Sequence, residues 1–175
     1  MKQEVLLRTQ WFTVVSETRD TEKDPYYILD CPDGVVVIAS TTDGNVILVQ
    51  QYRPTLGADS LELPGGYFAF DGEAPEGAAR RELLEETGFT ATEIALLGVI
   101  APDVGRLRYR LWCFFASAVA RHQDPPEATP EIGGVRSVPP GTLIEMCRDG
   151  RLRQSLDLAA IWLAVLQKRL PCSLV

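Results

Sequence analysis

Three glutamates, Glu82, Glu85 and Glu86, stand at positions i, i+3 and i+4 of a segment that reads as a helix over residues 75–87. A proline suits its first turn, and a glycine follows just past its end. With this spacing the carboxylates share one helix face, about one turn deep. They repel one another, and no lysine lies among them, so a hard divalent cation among the oxygens would make the arrangement favourable. The segment therefore predicts a metal-binding helix.

The alternative is a solvated acidic helix face, which an isolated E-x-x-E-E pattern would favour. Here the acids follow directly on Arg81 and precede Gly88, and upstream of them lie Glu73 and the pair Gly65-Gly66. Glycines let backbone approach closely, so a carbonyl of this pair is able to join a coordination shell. The combination favours the metal site over the solvated face.

Strand patterns dominate the first part of the chain, and helices close it. The run 35–39 is continuously apolar, as in a strand buried on both faces, and Asp43-Gly44 predicts a hairpin into a strand over 46–49. Strands and helices mix without regular alternation, which predicts an α+β fold with a mixed sheet between helices. The further strands are expected at 94–100, 108–118 and 135–138, and the closing helices at 141–148 and 155–168.

Residues 1–34 form a separate pattern of three short strand-like runs, at 5–7, 11–15 and 26–29. They are too few to build an independent core. We therefore expect a small N-terminal β unit over 1–34, followed by the main domain over 35–175.

Composition restricts the partners. Asp and Glu number 24 against 17 Lys and Arg, for a net charge of −7, so the chain lacks the basic footprint that duplex nucleic acid or an anionic membrane requires. The four cysteines form no C-x-x-C pair and the single histidine, His122, is distant from them, which excludes zinc-ligand spacing. No leader-like apolar segment or 18-residue apolar run occurs, so we expect a cytoplasmic protein.

The stretch around the acidic helix resembles the Nudix box, whose pattern is G-x5-E-x7-R-E-U-x-E-E-x-G-U with U a bulky apolar residue. The second part matches position by position, through Glu73, Arg81, Glu82, Leu83, Glu85, Glu86, Gly88 and Phe89. Six residues rather than five separate Gly66 from Glu73, so the loop before the helix is one residue longer. The segments 49–54 and 62–66 resemble the corresponding segments of one branch of that family, the ADP-ribose and nucleoside-diphosphate-sugar pyrophosphatases. The resemblance extends over nearly the whole chain.

This resemblance implies an α/β/α sandwich and an enzyme. Its reaction would be magnesium-dependent hydrolysis of the pyrophosphate bond of ADP-ribose or another nucleoside diphosphate sugar, giving a nucleoside monophosphate and a sugar phosphate. The ligands of Mg²⁺, with Mn²⁺ as a substitute, would be Glu82, Glu85, Glu86 and the Gly65 carbonyl, Glu85 and Glu86 being catalytic as well. Glu73 would brace the box by pairing with Arg81. The resemblance also implies a homodimer in which the N-terminal unit packs across the partner.

The same resemblance suggests residues for the substrate. Arg53 is a candidate phosphate clamp, the alternative being a plain surface arginine. Glu62 either contacts the ribose or base or fixes its own loop. Arg106 begins a run of three alternating arginines near the expected pocket mouth, which either selects phosphate-bearing substrates or forms an exposed strand face. ADP-ribose enzymes of the family often carry an acid in that stretch.

A loop glutamate often assists the attacking water in this branch. Glu131 and Glu127 are the available acids on the loop 124–134. Glu131 is favoured because it lies shortly before the strand expected at 135–138, with a solvated loop acid as the alternative.

Two other functions stay open. One is a Nudix enzyme that cleaves nucleoside triphosphates, which the extra strands at 1–34 disfavour. The other is a non-catalytic Nudix-fold binding module, which the presence of all three helix acids disfavours. The sequence does not identify the base or the sugar.

Overall fold

The computed structural model describes residues 2–19, 24–68, 72–122 and 132–171, and within them it has twelve strands and three helices. The strands are β1 (Lys2–Arg8), β2 (Thr13–Thr18), β3 (Tyr26–Asp30), β4 (Gly34–Thr41), β5 (Val46–Arg53), β6 (Ala58–Glu62), β7 (Gly65–Tyr67), β8 (Phe89–Thr90), β9 (Glu93–Ile100), β10 (Leu107–Arg108), β11 (Leu111–Arg121) and β12 (Ile132–Val138). The helices are α1 (Pro75–Thr87), α2 (Pro140–Arg148) and α3 (Ser155–Leu166). None of these helices is long and apolar enough to span a membrane.

The main sheet is mixed, as the sequence predicts. Its strands run in the order β12-β5-β4-β11-β8, with β6 paired to β5, β7 to β4 and β9 to β11. The β4–β11 ladder is parallel, and the other ladders are antiparallel. Successive residues of the buried strand β4 pack alternately into the cores on the two faces of the sheet. Val35, Val37 and Ala39 join the core against α1, while Val36 and Ile38 join the core against α2 and α3. This arrangement confirms the α+β sandwich with the sheet between helices.

A second, four-stranded sheet contains the N-terminal unit, in the order β1-β2-β3-β10. Its last strand comes from the main part of the chain, where Leu107 and Arg108 pair in parallel with Leu29 and Asp30. The N-terminal strands are therefore joined to the main domain by a shared sheet as well as by the chain itself.

The single strand expected over 108–118 is wrong, because the chain changes sheets within it. Arg108 belongs to β10, and β11 begins at Leu111 in the main sheet. Between them Arg110 gives its backbone N–H to the carboxylate of Asp33 at 3.1 Å, and its carbonyl accepts the N–H of Gly34. The alternating pattern of the arginines therefore does not describe one strand face.

Smaller differences occur at element ends. The strand expected from 11 begins at Thr13, because the Thr9 hydroxyl accepts the backbone N–H groups of Trp11 and Phe12 and closes a turn. The last helix ends at Leu166, before Lys168 takes a positive φ of 57°. Strands β6, β7 and β8 were not expected, since each is short and lacks a clear apolar alternation.

Candidate active site

Arg81, in the middle of α1, gathers the acidic side chains around one guanidinium. Its Nε and Nη2 donate to the two carboxylate oxygens of Glu73 at 3.0 and 3.2 Å. Its Nη1 donates to Glu82 at 2.6 Å and to Glu85 at 3.1 Å, while Nη2 also reaches the Tyr67 carbonyl at 3.0 Å. The expected pairing of Glu73 with Arg81 is confirmed, and Arg81 also balances part of the negative charge on the helix.

Glu86 lies deeper than the other acids and is held from two sides. Its Oε1 accepts the side-chain amide of Gln51 at 2.7 Å, and its Oε2 accepts the backbone N–H of Gly65 at 2.9 Å. Burial raises the pKa of Glu86 to about 7, the Gly65 N–H opposes this shift, and the charge of Glu82 adds to it. In the absence of a cation the carboxyl group is thus only partly ionised near neutral pH.

The glycine pair lies close to β4 on one side and to the Glu82 side chain of α1 on the other. A Cβ atom on Gly65 would overlap the Val35 carbonyl oxygen, and one on Gly66 would lie 2.6 Å from Oε1 of Glu82. Glycine at 65 is therefore required by the backbone of β4, whereas a side chain at 66 would displace the end of the Glu82 side chain. The close backbone approach expected from the sequence is therefore present at the acidic helix.

Carboxylate oxygens of the kind that α1 presents suit a hard divalent cation, although their present positions do not form a complete coordination site. No group of three or more His, Cys, Asp or Glu side chains is close enough to hold a metal in the described ranges. Glu82 is only 13% exposed and Glu85 is 59% exposed, and both contact Arg81. Burial raises the pKa of Glu82, with Arg81 opposing it and Glu85 adding to it. Burial and mutual repulsion disfavour the ionised form of such carboxylates, and a bound cation would stabilise that form.

Arg53 and Glu62 form a bidentate pair beside these acids. Arg53 Nε donates to Glu62 Oε1 at 2.8 Å, and its Nη2 contacts the second oxygen. The Glu62 side chain is 6% exposed, whereas that of Arg53 is 41% exposed. Arg53 is also near enough to Glu86 to oppose the rise of that group's pKa. Glu62 therefore holds in place a guanidinium whose side chain is still partly exposed to solvent.

The family follows from comparison with known proteins. The family model described as NUDIX domain matches residues 32–157. The chain belongs to the NUDIX family. This Nudix chain is 43% identical over 67 residues to an ADP-ribose pyrophosphatase of Bacillus subtilis, which covers 38% of this chain and 36% of that protein. It is 59% identical over 60 residues to an ADP-sugar pyrophosphatase of Mus musculus, covering 34% and 27% of the two chains.

Two further matches extend over most of this Nudix chain. A GDP-mannose pyrophosphatase of Yersinia pestis is 26% identical over 166 residues, covering 85% of this chain and 82% of that protein. A crystal structure of an ADP compounds hydrolase superposes with a TM-score of 0.80 at 20% identity, covering 97% and 92% of the chains. That structure establishes the fold alone. The matches to the Bacillus and mouse proteins cover little more than a third and a quarter of those proteins.

The three arginines near the expected pocket mouth contact the N-terminal sheet or the segment that follows it. The Arg106 guanidinium lies 4.3 Å from the ring centre of Tyr26. Arg108 bridges Glu17 and Asp30, and Arg110 pairs with Asp33. These contacts join the second half of the chain to β2, β3 and the segment after them. Substrate binding by Arg106 stays a prediction.

The candidate general base lies outside the described residues. Glu131 and the alternative Glu127 both fall in the segment 123–131, between β11 and β12. The role assigned to Glu131 from the Nudix resemblance therefore stays a prediction.

The site contains two polar residues, Gln51 and Asp157, that the sequence pattern does not indicate. Gln51, on β5, is 8% exposed and binds Glu86. Asp157, in the first turn of α3, is 3% exposed, and its Oδ2 accepts the backbone N–H of Leu63 at 2.9 Å. A single acid within the otherwise apolar start of the last helix was the available signal for Asp157. Burial raises the pKa of Asp157 to about 8, the Leu63 N–H opposes this, and Glu62 adds to it.

The pKa of Asp157 predicts a stability change with pH. In the unfolded chain the carboxyl titrates near its ordinary value of 3.8. Between about pH 4 and 8 the unfolded state has therefore lost a proton that the folded state keeps, so stability falls as pH rises. Asp157→Asn removes this contribution, and the other carboxyl groups of the site are the same in both proteins. We expect the thermal midpoint of the variant, measured in EDTA, to exceed that of the wild type by at least about 3 °C at pH 8. Near pH 4 the two midpoints should agree, and a constant difference across the range would contradict the assignment.

Proposed function

We propose that this Nudix chain hydrolyses the pyrophosphate bond of a nucleoside diphosphate sugar, ADP-ribose or a relative of it, in a reaction that depends on Mg²⁺. The observation that carries the proposal is the pair of buried carboxylates, Glu82 and Glu86, packed over Gly65-Gly66 and next to the Arg53–Glu62 pair. The names of the related proteins support the same class of substrate.

The residues that would hold Mg²⁺, or Mn²⁺ in its place, are Glu82, Glu85, Glu86 and the Gly65 carbonyl. Mg²⁺ keeps several waters, so a small number of protein oxygens is enough. When bound, the ion neutralises the negative charge that grows on the pyrophosphate oxygens during cleavage. Glu85 is the most exposed of the three acids and would exchange its contact with Arg81 for this role.

The side chains of the protein bind and orient the substrate. The partly exposed Arg53 guanidinium is suited to bind phosphate oxygens, and Glu62 keeps that planar group in one orientation. In the reaction a water oxygen bonds to one phosphorus, the bond from that phosphorus to the bridging oxygen breaks, and a water proton passes to a base. We assign Glu131 as this base, on the Nudix resemblance.

A panel of substrates tests the proposal. Purified protein is assayed on ADP-ribose, ADP-glucose, GDP-mannose and ATP, each with Mg²⁺ and with EDTA. We expect Mg²⁺-dependent cleavage of at least one nucleotide sugar, with kcat/KM at least about tenfold above that for ATP. Preferential cleavage of ATP would favour a triphosphate-cleaving enzyme instead. Absence of cleavage, combined with tight nucleotide binding, would favour a binding module.

We also propose that the chain forms a homodimer through its N-terminal unit. Every residue of β1 is exposed in the single chain, and Val5, Leu6 and Leu7 are each about half exposed. Trp11 and Tyr27 add exposed aromatic surface to the same unit. Exposed apolar side chains concentrated in one short unit are typical of an interface between chains.

Sedimentation tests this assembly. We expect the 19.3 kDa chain to sediment at twice its mass at micromolar concentration, because the apolar strand would be covered by a partner. Leu7→Arg places a charge in that interface and should weaken the dimer by about 30-fold or more. Leu166→Arg is the matched control, since Leu166 is an exposed apolar residue at the end of α3. A wild-type monomer, or equal effects of both variants, would contradict the proposal.

A further inference from the structure

The segment Glu62–Gly65 is anchored to a different element at each residue. The Glu62 carboxylate binds Arg53 of β5, and the Leu63 N–H binds Asp157 of α3. The Pro64 carbonyl accepts the N–H of Val37 on β4 at 2.9 Å, and the Gly65 N–H binds Glu86 of α1. The two ends of this segment therefore belong to the phosphate clamp and to the metal-binding acids, respectively.

The connection between β6 and β7 consists of Leu63 and Pro64 alone. Proline has no N–H, so the N–H of Leu63 is the connection's single backbone donor. Both residues are buried, and a buried N–H needs an acceptor. Asp157 supplies that acceptor from the first turn of α3. The Leu63 side chain belongs to the core cluster that also contains residues of α2 and α3.

We infer that Asp157 is a positioning residue of this site: through Leu63 it fixes the β6–β7 connection, and with it the relative placement of the Arg53–Glu62 pair and the Gly65–Glu86 contact. The inference rests on the proposed function for its catalytic consequence. In this proposal Asp157 itself binds neither the metal ion nor the substrate. What it contributes is the acceptor for the connection's single backbone donor, whereas the Pro64 carbonyl is bound separately by the Val37 N–H.

Three variants separate the hydrogen-bond acceptor from ionisation of the side chain and from packing. Asp157→Asn keeps an acceptor oxygen and the side-chain shape but cannot ionise. Asp157→Leu keeps the branched heavy-atom shape, in a larger side chain, and removes the acceptor. Ile161→Ala is the control, because it removes buried packing from α3 without touching a polar group of the site. Circular dichroism and thermal unfolding establish that each variant is folded and how much stability it has lost.

The readouts are hydrogen exchange at the Leu63 amide, Mn²⁺ affinity by calorimetry, and kcat and KM on the best substrate of the panel. We expect Asp157→Leu to accelerate exchange at Leu63, to weaken Mn²⁺ binding about tenfold and to lower kcat about 10–100-fold, as the loss of an orienting partner typically does. Asp157→Asn should stay within about threefold of the wild type in all of these. Ile161→Ala should lose thermal stability with Mn²⁺ affinity and kcat nearly unchanged.

Unchanged Mn²⁺ affinity and kcat in Asp157→Leu would overturn the inference. An equal loss in Asp157→Asn would also overturn it, because ionisation of the side chain and not its acceptor oxygen would then matter. The same loss in Ile161→Ala would assign the effect to general packing and overturn it as well. If the wild type cleaves no compound of the panel, the proposed function fails separately. The exchange and Mn²⁺ measurements would then still decide whether Asp157 organises the site.

Discussion

Replacing Glu86 by glutamine is expected to lower kcat at least about 10³-fold, because the proposed metal ligand would lose its charge and with it several kcal/mol of transition-state stabilisation. The fold should survive. The carboxyl group is buried between Gln51 and the Gly65 N–H, and a neutral amide of the same shape still offers an oxygen to that N–H. The loss is measured as kcat and kcat/KM at saturating Mg²⁺, with the thermal midpoint recorded in parallel.

Glu76→Gln is the matched control for this variant. Glu76 lies on the same helix, is exposed and pairs with Arg80 instead of Arg81. It should keep wild-type kcat within about twofold, since exposed ion pairs contribute little. Wild-type turnover in Glu86→Gln at saturating Mg²⁺ would remove Glu86 from the catalytic site. An equal loss in both variants would indicate a general effect of helix charge instead.

Glu131→Gln is expected to lower kcat about 10²-fold or more with little change in KM. Water is a poor nucleophile at neutral pH, and a general base within reach typically contributes about 10²–10⁴-fold. The helix acids are assigned to metal, and the single histidine, His122, has no acid adjacent to it in sequence.

Glu127→Gln, on the same loop, is the comparison. It should have a clearly weaker effect than Glu131→Gln on the same substrate. A large loss in Glu127→Gln with full activity in Glu131→Gln would transfer the role to Glu127. Full activity in both variants would place the base among the box acids.

Much of the scaffold could be predicted from local pattern. The helix over 75–87, the buried strand around Val37 and the close backbone approach at Gly65-Gly66 all follow from the sequence. Each depends on neighbours in the chain or on a residue type with few roles, such as glycine between packed backbones. The pairing of Glu73 with Arg81 was accessible in the same way, because the box places the two at a fixed separation.

The features that escaped prediction depend on distant residues. The strand break near Arg110 arises because Asp33, far away in sequence, takes its backbone N–H. The capture of Glu82 and Glu85 by Arg81 depends on how α1 lies against β7. Asp157 accepts the N–H of Leu63, a residue 94 positions earlier in the chain, and no local pattern reveals such a contact. The parts of the site that the sequence missed are thus its long-range polar contacts.

The most direct test of the proposed function follows the atoms of the reaction. ADP-ribose is hydrolysed in ¹⁸O-labelled water with Mg²⁺, and the products are identified by ³¹P NMR and mass spectrometry. We expect AMP and ribose 5-phosphate in equal amounts, with one ¹⁸O atom in the phosphate of one of them and no reaction in EDTA. Release of inorganic phosphate, unlabelled products, or cleavage that is equally fast without metal would contradict attack by water on the pyrophosphate at this site.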